Sequence, residues 1–332
     1  MEIAIIGCGL IGRKRALALP KQDKLVACCD IDKTIADKFA SDFSCLPFTD
    51  YRDLINKVKC DIVIIAVVNK FAKDIVAATR RKKIHVLAEK PLGRNAVEAR
   101  EMVNKARQKG VILKTGFNHR FHPAVWKAKE LVDSNKIGTI FNIRARYGHG
   151  GRPGMEKEWR SSKDLCGGGE LLDQGVHIID LIRWFGGEIN EVYGNVDTKF
   201  WPLDVEDNAF AILKTKHNVT ASFHVSWTNW KNIFSFEIFG TKGYLKIEGL
   251  GGNYGPETLE LGLRNPRGGK PDIKIFEFDS EDISWKKEWK ELKSAIKEKR
   301  EPIASGIDGL RANQVIEAIY KSTQSKKAVT IK

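Results

Sequence analysis

The sequence predicts an α/β protein with two domains: a doubly wound parallel sheet first and a mainly antiparallel sheet second. The first 120 residues alternate short apolar runs with helical patterns, which is typical of βαβ units. Beyond residue 139 longer alternating strands follow, separated by turns rich in Gly, Asn or Pro. The length of 332 residues fits two domains of roughly 150 residues each.

The first domain, residues 1–120, should contain five parallel strands joined by four helices. Each predicted strand is a short apolar run, and each predicted helix ends near Pro, Gly or a basic cluster. The predicted strands are 3–6, 25–29, 62–68, 85–88 and 111–115. The predicted helices are 10–19, 34–41, 71–80 and 96–108.

The second domain, residues 121–332, should begin with a helix over 122–134. Alternation of apolar and polar residues predicts strands over 139–147, 191–196, 209–215, 219–227, 234–239, 243–247, 259–263 and 273–278. One helix over 171–185 interrupts the strands. Helices near 284–299 and 307–323 close the chain.

The composition is that of a soluble globular protein and excludes several other classes. Hydrophobic residues make up 42% and charged residues 30%. The longest apolar run, 62–68, is far shorter than the 18 or more residues of a membrane-spanning helix. The N-terminal segment lacks the basic start of a signal peptide, and the six cysteines include no CxxC pair. We therefore expect a cytoplasmic protein with reduced thiols and no metal site.

The formal net charge of +14 makes nucleic acid the first partner to consider. The basic residues are mostly lysines scattered among acidic residues, as in Lys286-Lys287-Glu288, which is typical of solvated helix faces. We therefore expect no nucleic-acid partner. The positive balance instead favours an anionic cofactor or substrate.

A glycine motif directly after the first strand predicts a dinucleotide site. Gly7, Gly9 and Gly12 form a G-x-G-x-x-G that opens the first helix and includes Leu10 and Ile11. In such a motif the first Gly permits a tight turn, the second permits close approach of a pyrophosphate, and the third permits helix–strand packing. The helix N-terminus offers N–H groups to the pyrophosphate. The alternative is a glycine turn that binds nothing.

Asp30 follows the second strand, near the distance of about 20 residues at which an acidic side chain binds the ribose hydroxyls. Its carboxylate would repel a 2′-phosphate, which favours NAD over NADP, although Lys33 could soften this preference. The neighbouring Ile31 belongs to the same predicted site. The alternative role for Asp30 is a helix cap.

Lys90 lies in Glu89-Lys90-Pro91, directly after a predicted buried strand. This position delivers Lys90 to the carboxyl edge of the parallel sheet, where ligands of doubly wound folds bind. A lysine after a strand is, by itself, more often a solvated loop residue.

Asp173 and His177 are four residues apart after Gly167-Gly168-Gly169, so one continuous helix would place them on the same face. A carboxylate beside an imidazole can fix its tautomer and raise its basicity, as a general base requires. Two alternatives stand beside this interpretation. One is a structural His–Asp contact, and the other is a metal site that also uses His119 and His122.

These motifs together resemble the glucose-fructose oxidoreductase / inositol dehydrogenase / MocA (Gfo/Idh/MocA) family. The resemblance runs from end to end of the chain. It rests on the glycine motif, Glu89-Lys90-Pro91, Trp159-Arg160, Gly167-Gly168-Gly169, Asp173, His177, Asp180, Trp184, Glu206-Asp207, Gly240, Gly243, Ser305-Gly306, Asp308-Gly309, Arg311 and Glu317-Ala318.

The resemblance implies a Rossmann domain, then an α/β domain whose open sheet forms the substrate wall and the oligomer interface of a homodimer or homotetramer. It implies NAD(P)-linked oxidation or reduction of a sugar, inositol, sugar nucleotide or related polyol. Lys90, Asp173 and His177 match the family's catalytic residues. The resemblance further implies NAD-binding roles for Gly7, Gly9, Leu10, Ile11, Gly12, Asp30, Ile31, Val67, Asn69, Glu89 and Lys90.

In the implied mechanism, His177 takes the proton of a secondary hydroxyl while the hydride passes to nicotinamide C4. Lys90 binds the same oxygen, and Asp173 orients the substrate or the imidazole. The chain departs from the family pattern at three places on the rim that faces the cofactor. Val67-Val68 replaces a frequent Thr-Pro, a His common shortly after Asn69 is absent, with Ala72 nearest, and Arg15 replaces a frequent His.

The substrate-binding set is predicted to comprise Lys90, Asn118, Arg120, Arg152, Arg160, Asp173 and His177. A guanidinium at Arg152 or Arg160 could bind a carboxylate or pyrophosphate, although a surface ion pair is the alternative for each. A nucleotide sugar is the favoured substrate. Alternatives are oxidation of inositol or a free polyol, reduction of a ketosugar, redox-neutral glycoside cleavage with tightly held NAD, and a dinucleotide-binding sensor without turnover.

Overall fold

The computed structural model describes residues 1–79, 82–279 and 281–331. They form two compact units, each assembled from three stretches of the chain. The first unit comprises Met1–Phe117, Asp164–Gly167 and Trp285–Asn313. The second comprises Asn118–Lys163, Gly168–Ser284 and Gln314–Lys332.

The first unit contains a six-stranded parallel sheet in the order β3-β2-β1-β4-β5-β6. This is the strand order of a doubly wound dinucleotide-binding fold, so the predicted fold class is confirmed. The strands are β1 (Glu2–Ile6), β2 (Lys24–Cys29), β3 (Leu46–Phe48), β4 (Ile62–Ile65), β5 (His85–Ala88) and β6 (Leu113–Thr115).

Within the described residues, five α-helices connect these strands. Asp32, Asp50 and Asn95 cap the second, third and fifth helices by accepting hydrogen bonds from backbone N–H groups of the first turn. The helices are α1 (Leu10–Leu17), α2 (Lys33–Phe43), α3 (Tyr51–Lys57), α4 (Asn69–Thr79) and α5 (Ala96–Arg107). The predicted end of the fourth helix, Arg80, lies outside the described residues.

The sheet of the first unit is buried on both faces. Successive residues of β1 enter different core clusters: Ile3 and Ile5 pack with Trp289 and Leu292, whereas Ala4 and Ile6 pack in the other cluster. This is why the strands read as apolar runs rather than alternating patterns.

Three predicted details of the first unit were wrong. β4 ends at Ile65 rather than at residue 68, because its partner β1 ends at Ile6, where Gly7 turns the chain away. β6 begins at Leu113, which pairs with Val86, rather than at residue 111. β3 and α3 were not predicted, because β3 is three residues long and largely exposed.

The second unit contains a nine-stranded sheet in the order β14-β13-β12-β11-β7-β10-β9-β8-β15. Among the described strands of this sheet only β7 and β10 pair in parallel, which confirms the mainly antiparallel sheet. The strands are β7 (Ile140–Gly148), β8 (Ile189–Asp197), β9 (Asn208–Thr215), β10 (Thr220–Ser226), β11 (Ile233–Gly240), β12 (Gly243–Glu248), β13 (Glu257–Leu263), β14 (Asp272–Phe278) and β15 (Val329–Thr330).

The helix predicted over 171–185 is in fact two helices, α8 (Glu170–Asp173) and α9 (Gly175–Gly186), with a break at Gln174. A Cβ on Gly175 would lie 3.2 Å from Val225 of β10, so this glycine permits close packing where α9 begins. Asp173 and His177 therefore lie on successive helices and not on one helical face. The remaining helices are α6 (Pro123–Asp133), α7 (Lys163–Cys166), α10 (Ser284–Glu298) and α11 (Gly306–Ser325).

One face of the nine-stranded sheet is buried and the other carries exposed apolar side chains. Phe141, Tyr193, Phe210 and Ile212 are each about half exposed. Phe210 stacks on His224 of the adjacent strand, with ring centroids 3.9 Å apart. Within the described ranges, no helix combines the length and the apolar character that crossing a membrane would need.

Candidate functional site

The three glycines of the loop between β1 and α1 differ in what surrounds them. Gly7 has a φ of +98°, and a Cβ there would lie 2.2 Å from the carbonyl oxygen of Ala66. A Cβ on Gly12 would lie 2.0 Å from the carbonyl oxygen of Gly7. A Cβ on Gly9 would meet no atom within 4 Å. The fold therefore requires Gly7 and Gly12, whereas the space beside Gly9 is open to an incoming group.

The residues after Gly9 fit a bound dinucleotide. Gly9 is the N-cap of α1, and the first turn of that helix carries no acidic side chain that would compete for an anion. Leu10 is 72% exposed, and Ile11 is half-buried. The helix thus offers free N–H groups and an apolar surface to a ligand.

Asp30 holds the glycine loop against the end of β2. Its Oδ2 accepts a hydrogen bond of 2.9 Å from the backbone N–H of Cys8, and its Oδ1 accepts one of 3.1 Å from the backbone N–H of Asp32. The cap of α2 is Asp32, so the alternative role of Asp30 as that cap was wrong. Beside it, Ile31 is 93% exposed. Since a carboxylate can accept about four hydrogen bonds, Asp30 retains capacity for ribose hydroxyls.

Two further predicted cofactor residues follow β4. Val67 is half-buried in the segment between β4 and α4. Asn69 begins α4 and is buried, and its Nδ2 donates a hydrogen bond of 2.7 Å to the carbonyl oxygen of Cys166. This hydrogen bond links the start of α4 to the segment Asp164–Gly167, which also belongs to the first unit.

Glu89, directly before Lys90 at the end of β5, belongs to a buried group of charged side chains. Arg15 donates from Nε to Glu89 at 2.6 Å and from Nη1 to Glu288 of α10 at 2.5 Å. The indole of Trp285 lies 4.4 Å from the Arg15 guanidinium carbon. A Cβ on Gly116 would lie 2.7 Å from Arg15 and 2.8 Å from Glu89, so this glycine makes room for the pair.

A second buried cation completes this group. Lys114 on β6 is fully buried; it donates a hydrogen bond to the carbonyl oxygen of Ile303 and lies 3.7 Å from Glu288 and 3.4 Å from Glu291. Burial, with the nearby charge of Glu288, raises the pKa of Glu89, although Arg15 and Lys90 act in the opposite direction. We call Arg15, Glu89, Lys114, Glu288 and Glu291 the charged cluster.

In the second unit, His177 lies in the first turn of α9 and is buried. Its imidazole stacks on that of His119, with ring centroids 3.7 Å apart and planes inclined by 15°. Tyr147 of β7 approaches both rings edge-on. Burial raises the pKa of Tyr147 well above its usual value, so the phenol stays protonated.

Asp173 is the last residue of α8. Its Oδ2 lies 3.9 Å from Nε of Arg160, whose guanidinium lies 4.4 Å from the ring of Trp159. The structure therefore brings together two residues of the predicted substrate-binding set, Asp173 and Arg160.

The other predicted substrate residues of the second unit have protein partners. Arg152 is 63% exposed and pairs with Glu158 at 2.6 Å. Arg120 is buried and forms a bidentate pair with Asp180 at 2.7 and 2.6 Å. Asn118 is buried and donates to Oγ of Ser284 at 3.0 Å. A role in substrate binding stays a prediction for all three.

Sequence reasoning missed the group around His177. His119 was considered only as a ligand of the alternative metal site, and Tyr147, Tyr254 and Gln174 were assigned no role. Tyr254 accepts a hydrogen bond of 2.9 Å from Nε2 of Gln174, and burial raises its pKa to about 12. The only signal was the position of His119 just past the last parallel strand, since β7 and residue 254 are remote in sequence. No group of three His, Cys, Asp or Glu side chains suited to a metal ion occurs among the residues described.

Comparison with known proteins identifies both parts of the chain. Residues 1–117 match the model of the oxidoreductase family, NAD-binding Rossmann fold, and residues 125–246 match that of the GFO/IDH/MocA C-terminal domain. Together these matches cover more than two thirds of the chain. The N-terminal part is therefore an NAD-binding Rossmann domain.

Similar proteins span the whole length. Myo-inositol 2-dehydrogenase of Thermotoga maritima is 27% identical, covering 100% of this chain and 98% of that protein. Glucose-6-phosphate 3-dehydrogenase of Bacillus subtilis is 27% identical, and the match covers 99% of this chain and 98% of that protein. The solved structure of levoglucosan dehydrogenase in complex with NADH shares the fold, with a TM-score of 0.91 at 22% identity over 100% and 99% of the two chains. The chain belongs to the GFO/IDH/MocA family of NAD-binding oxidoreductases.

Proposed function

We propose that this protein is an NAD-dependent dehydrogenase that oxidises a secondary hydroxyl group of a sugar or nucleotide sugar. The observation that carries the proposal is the buried His177 imidazole stacked on a second imidazole, in a chain whose other unit carries an NAD-binding loop and Lys90. In this proposal residues 1–120 bind NAD, and residues 121–332 bind the substrate and form the oligomer.

NAD fits the residues of the first unit. The open space beside Gly9 and the N–H groups of α1 would hold its pyrophosphate, and the exposed side chains of Leu10 and Ile31 would contact its apolar parts. The carboxylate of Asp30 would bind the ribose hydroxyls and disfavour a 2′-phosphate. Gly7, Ile11, Gly12, Val67, Asn69, Glu89 and Lys90 complete the proposed NAD-binding set. When bound, NAD supplies a hydride acceptor at C4 of its nicotinamide ring.

His177 is the proposed general base. A neutral imidazole takes the hydroxyl proton as the carbon-bound hydride leaves, and a pKa near neutrality suits this role. The Lys90 ammonium donates a hydrogen bond to the same oxygen and stabilises its developing negative charge. Asp173, held near Arg160, orients the substrate.

The substrate class rests on the relatives and on charge. Two relatives are named for inositol and for glucose 6-phosphate, which are polyhydroxylated six-membered rings, the second anionic. Arg160 beside Asp173 could bind an anionic substituent, and Arg152 could do so by exchanging Glu158 for it. Asn118 and Arg120 belong to the same proposed substrate-binding set. A nucleotide sugar or sugar phosphate is the proposed substrate, and inositol, another free polyol or a ketosugar in the reverse direction is the alternative.

The exposed face of the nine-stranded sheet is the proposed oligomer interface. Its apolar side chains, among them Phe141 and Phe210, lie beside charged ones such as Arg144 and Glu237, which pair at 3.0 Å. A surface of this kind suits contact with a second copy through the same face.

The proposal is tested with purified protein, NAD and a panel of nucleotide sugars, sugar phosphates, free sugars and inositols, following the absorbance of NADH. We expect turnover on one class, reduced about a thousandfold in kcat for His177→Ala and for Lys90→Ala. NAD binding, measured by calorimetry, should persist in His177→Ala. His217→Ala, the same change in an exposed hairpin turn, is the matched control and should keep full activity.

Each contrary outcome has a distinct meaning. Near-full turnover by Lys90→Ala or His177→Ala would overturn the assigned roles. NAD binding without turnover on any substrate, in either direction, would favour the alternative of a dinucleotide-binding sensor.

A further inference from the structure

We infer that three aromatic side chains of the second unit, Phe200, Trp201 and Trp230, form a stacking surface for the base of a nucleotide sugar. We call these three residues the aromatic platform. This assignment rests on the proposed function and deepens it, because it selects a nucleoside diphosphate as the part of the substrate that does not react.

The aromatic platform is a cluster of exposed rings. Phe200 is 59% exposed and Trp230 is 63% exposed. The ring of Phe200 meets Trp201 and Trp230 edge-to-face, with centroid distances of 5.1 and 4.7 Å. A single exposed apolar side chain is ordinary on a protein surface, but a contiguous group of large rings is typical of a binding surface.

Hydrogen bonds hold Phe200 and Trp201 in place despite this exposure. The backbone N–H groups of both residues donate to Oδ2 of the buried Asp207, at 2.8 and 2.9 Å. The indole Nε1 of Trp201 donates to the carbonyl oxygen of Trp227 at 2.9 Å. The rings are therefore arranged before any ligand arrives, which lowers the entropy lost on binding.

The third ring is held by a backbone conformation that tryptophan rarely adopts. Trp230 has a φ of +55°, in the left-handed region that is costly for a bulky side chain. The preceding Asn229 donates its backbone N–H to the carbonyl oxygen of His149 at 3.1 Å, and a Cβ on Gly150 would lie 3.2 Å from Cα of Trp230. Because the ring is largely exposed, its burial does not offset the backbone cost, which is typical of residues kept for binding.

The platform adjoins charged residues of the proposed substrate-binding set. A Cβ on Gly151 would lie 2.4 Å from Nε1 of Trp201, so this segment packs directly against the platform, and Arg152 is the next residue. Arg160 follows in the same connection between β7 and α8, and its Nε lies 3.9 Å from Asp173.

His149 connects these charges to the platform. Its carbonyl oxygen bonds the turn that carries Trp230. Burial lowers the pKa of its imidazole; the carboxylate of Asp173 opposes this shift, and the guanidinium groups of Arg152 and Arg160 add to it. All three charges thus act on a residue whose backbone is bonded to the platform.

A nucleotide sugar matches this order of groups. Its sugar would lie at Asp173, its diphosphate at the guanidinium groups of Arg152 and Arg160, and its base on the aromatic platform. Nδ1 of His149 accepts a hydrogen bond of 2.9 Å from the backbone N–H of Gly151, so the neutral imidazole carries its hydrogen on Nε2 and can donate it to a phosphate oxygen. Stacking on aromatic rings tolerates any base, so uracil and guanine should both bind.

Two other occupants of the platform are distinguishable from a base. An oligosaccharide would place a second sugar ring there but has no phosphates for Arg152 and Arg160. A second copy of the chain would cover the rings and change the oligomeric state. The guanidinium groups next to the platform favour the nucleotide.

The first test measures binding to the full chain by calorimetry with saturating NAD present, so that the proposed cofactor site is occupied. UDP and GDP should bind about tenfold more tightly than inorganic pyrophosphate, which has the phosphates but no base. Trp230→Ala should remove this advantage without changing the Kd of pyrophosphate, and Trp230→Phe, which keeps a flat ring, should retain it within about threefold. Phe141→Ala, which removes a half-exposed ring near the start of β7, is the matched control and should keep the wild-type affinity for UDP.

Equal affinities for the nucleotides and pyrophosphate, or equal UDP affinities in wild type and Trp230→Ala, would overturn the inference. Binding of maltose in place of UDP, lost in Trp230→Ala, would assign the platform to a sugar ring. Dissociation of an oligomer by Trp230→Ala, measured by sedimentation velocity, would assign it to a second copy of the chain.

The second test separates ligand binding from a structural role. Trp230→Gly removes the ring and relieves the left-handed backbone, so the urea midpoint of unfolding should not fall, while the advantage of UDP over pyrophosphate should be lost. A lower urea midpoint would assign the ring to the fold and overturn the inference.

Failure of the proposed function would give a different result. If wild type turns over no substrate while UDP binding depends on Trp230, the dehydrogenase proposal fails and the platform stands. If the protein oxidises a free sugar or a sugar phosphate, and Trp230→Ala keeps kcat/KM within about twofold, the dehydrogenase stands and the platform assignment fails.

Discussion

Glu89 and His119 each adjoin a proposed catalytic residue, but the side chains that hold them differ in charge. Glu89 lies in the charged cluster, where Arg15 bridges two carboxylates. His119 is held by an amide, a phenol and a stacked imidazole. The attraction within a buried ion pair adds little free energy of folding beyond what desolvation of its charges costs, but removing one partner strongly destabilises the fold. Breaking the first arrangement should therefore cost more than breaking the second, which consists of hydrogen bonds to an amide and a phenol and of ring contact.

The largest expected effect breaks the charged cluster. Arg15→Met leaves the buried Glu288 and the largely buried Glu89 without their shared cation, so the free energy of unfolding should fall by about 3–5 kcal/mol, measured by urea denaturation. Arg13→Met on the same helix removes an exposed pair with Asp42 and should cost less than about 1 kcal/mol. Equal losses for the two variants would show that the cluster is not held by its charges.

The next effect tests a charge in the second unit. Asp207 is buried and accepts hydrogen bonds from the backbone N–H groups of Lys199, Phe200 and Trp201 at 2.8, 2.8 and 2.9 Å. Burial alone would raise the pKa of Asp207, but these bonds and one from Asn208 outweigh it and lower the pKa below 3.8. Asp207→Asn should lower the free energy of unfolding by about 1–3 kcal/mol near neutral pH.

The sign of the pH dependence follows from that lowered pKa. The carboxylate stabilises the fold fully above its unfolded pKa of 3.8, and this contribution is lost as the pH falls through the lower folded value. The difference in free energy of unfolding between wild type and Asp207→Asn, measured by urea denaturation, should therefore narrow below about pH 4. A difference in free energy of unfolding that does not depend on pH would contradict the role of the Asp207 charge.

A smaller effect tests the uncharged side chains next to His119. Ser284→Ala leaves Nδ2 of Asn118 without its acceptor and should cost about 1 kcal/mol in the free energy of unfolding. The substitution also removes the hydrogen bond that Ser284 donates to Asp282 at 2.5 Å. Both lost bonds are short contacts of a buried hydroxyl, so the loss should change little with salt, whereas the Arg13→Met effect on an exposed ion pair should shrink at high salt. A strongly salt-dependent loss for Ser284→Ala would remove the contrast between the two regions.

The smallest effect on stability is expected at Gly9. Gly9→Ala places a methyl group in open space and should change the free energy of unfolding by less than about 1 kcal/mol, while calorimetry should show NAD binding weakened at least tenfold. Gly12→Ala, whose methyl group would collide with the carbonyl of Gly7, is the contrasting variant and should destabilise the fold. Unchanged NAD affinity in Gly9→Ala would place the pyrophosphate elsewhere.

Most strands of both sheets could be predicted from the sequence, because buried strands and half-buried strands leave distinct apolar patterns. The break at Gln174 could not, because apolar residues recur at helical spacing on both sides of it, so residues 171–185 fit the pattern of one continuous helix. A Cβ on Gly175 would be crowded by Leu171 at 3.1 Å and by Val225 at 3.2 Å, and Val225 is 50 positions away.

The site was predictable only as far as its motifs are local. The glycine loop and Asp30 are fixed by a short βαβ segment, so their arrangement follows from sequence spacing. Arg15 pairs with Glu288, 273 positions along the chain, and no spacing rule shows such a contact. His119 likewise contacts Tyr147 and His177 only because the fold of the second unit brings them to it.

The hydrogen bond from Cys8 to Asp30 bears on how NAD binds as well as on where it binds. It fixes the loop between β1 and α1 in the folded protein itself, so the entropy of ordering that loop is lost on folding and not on association. We therefore expect association to proceed without a slow rearrangement of the loop. Differences in affinity among nucleotides should then appear mainly in their dissociation rates.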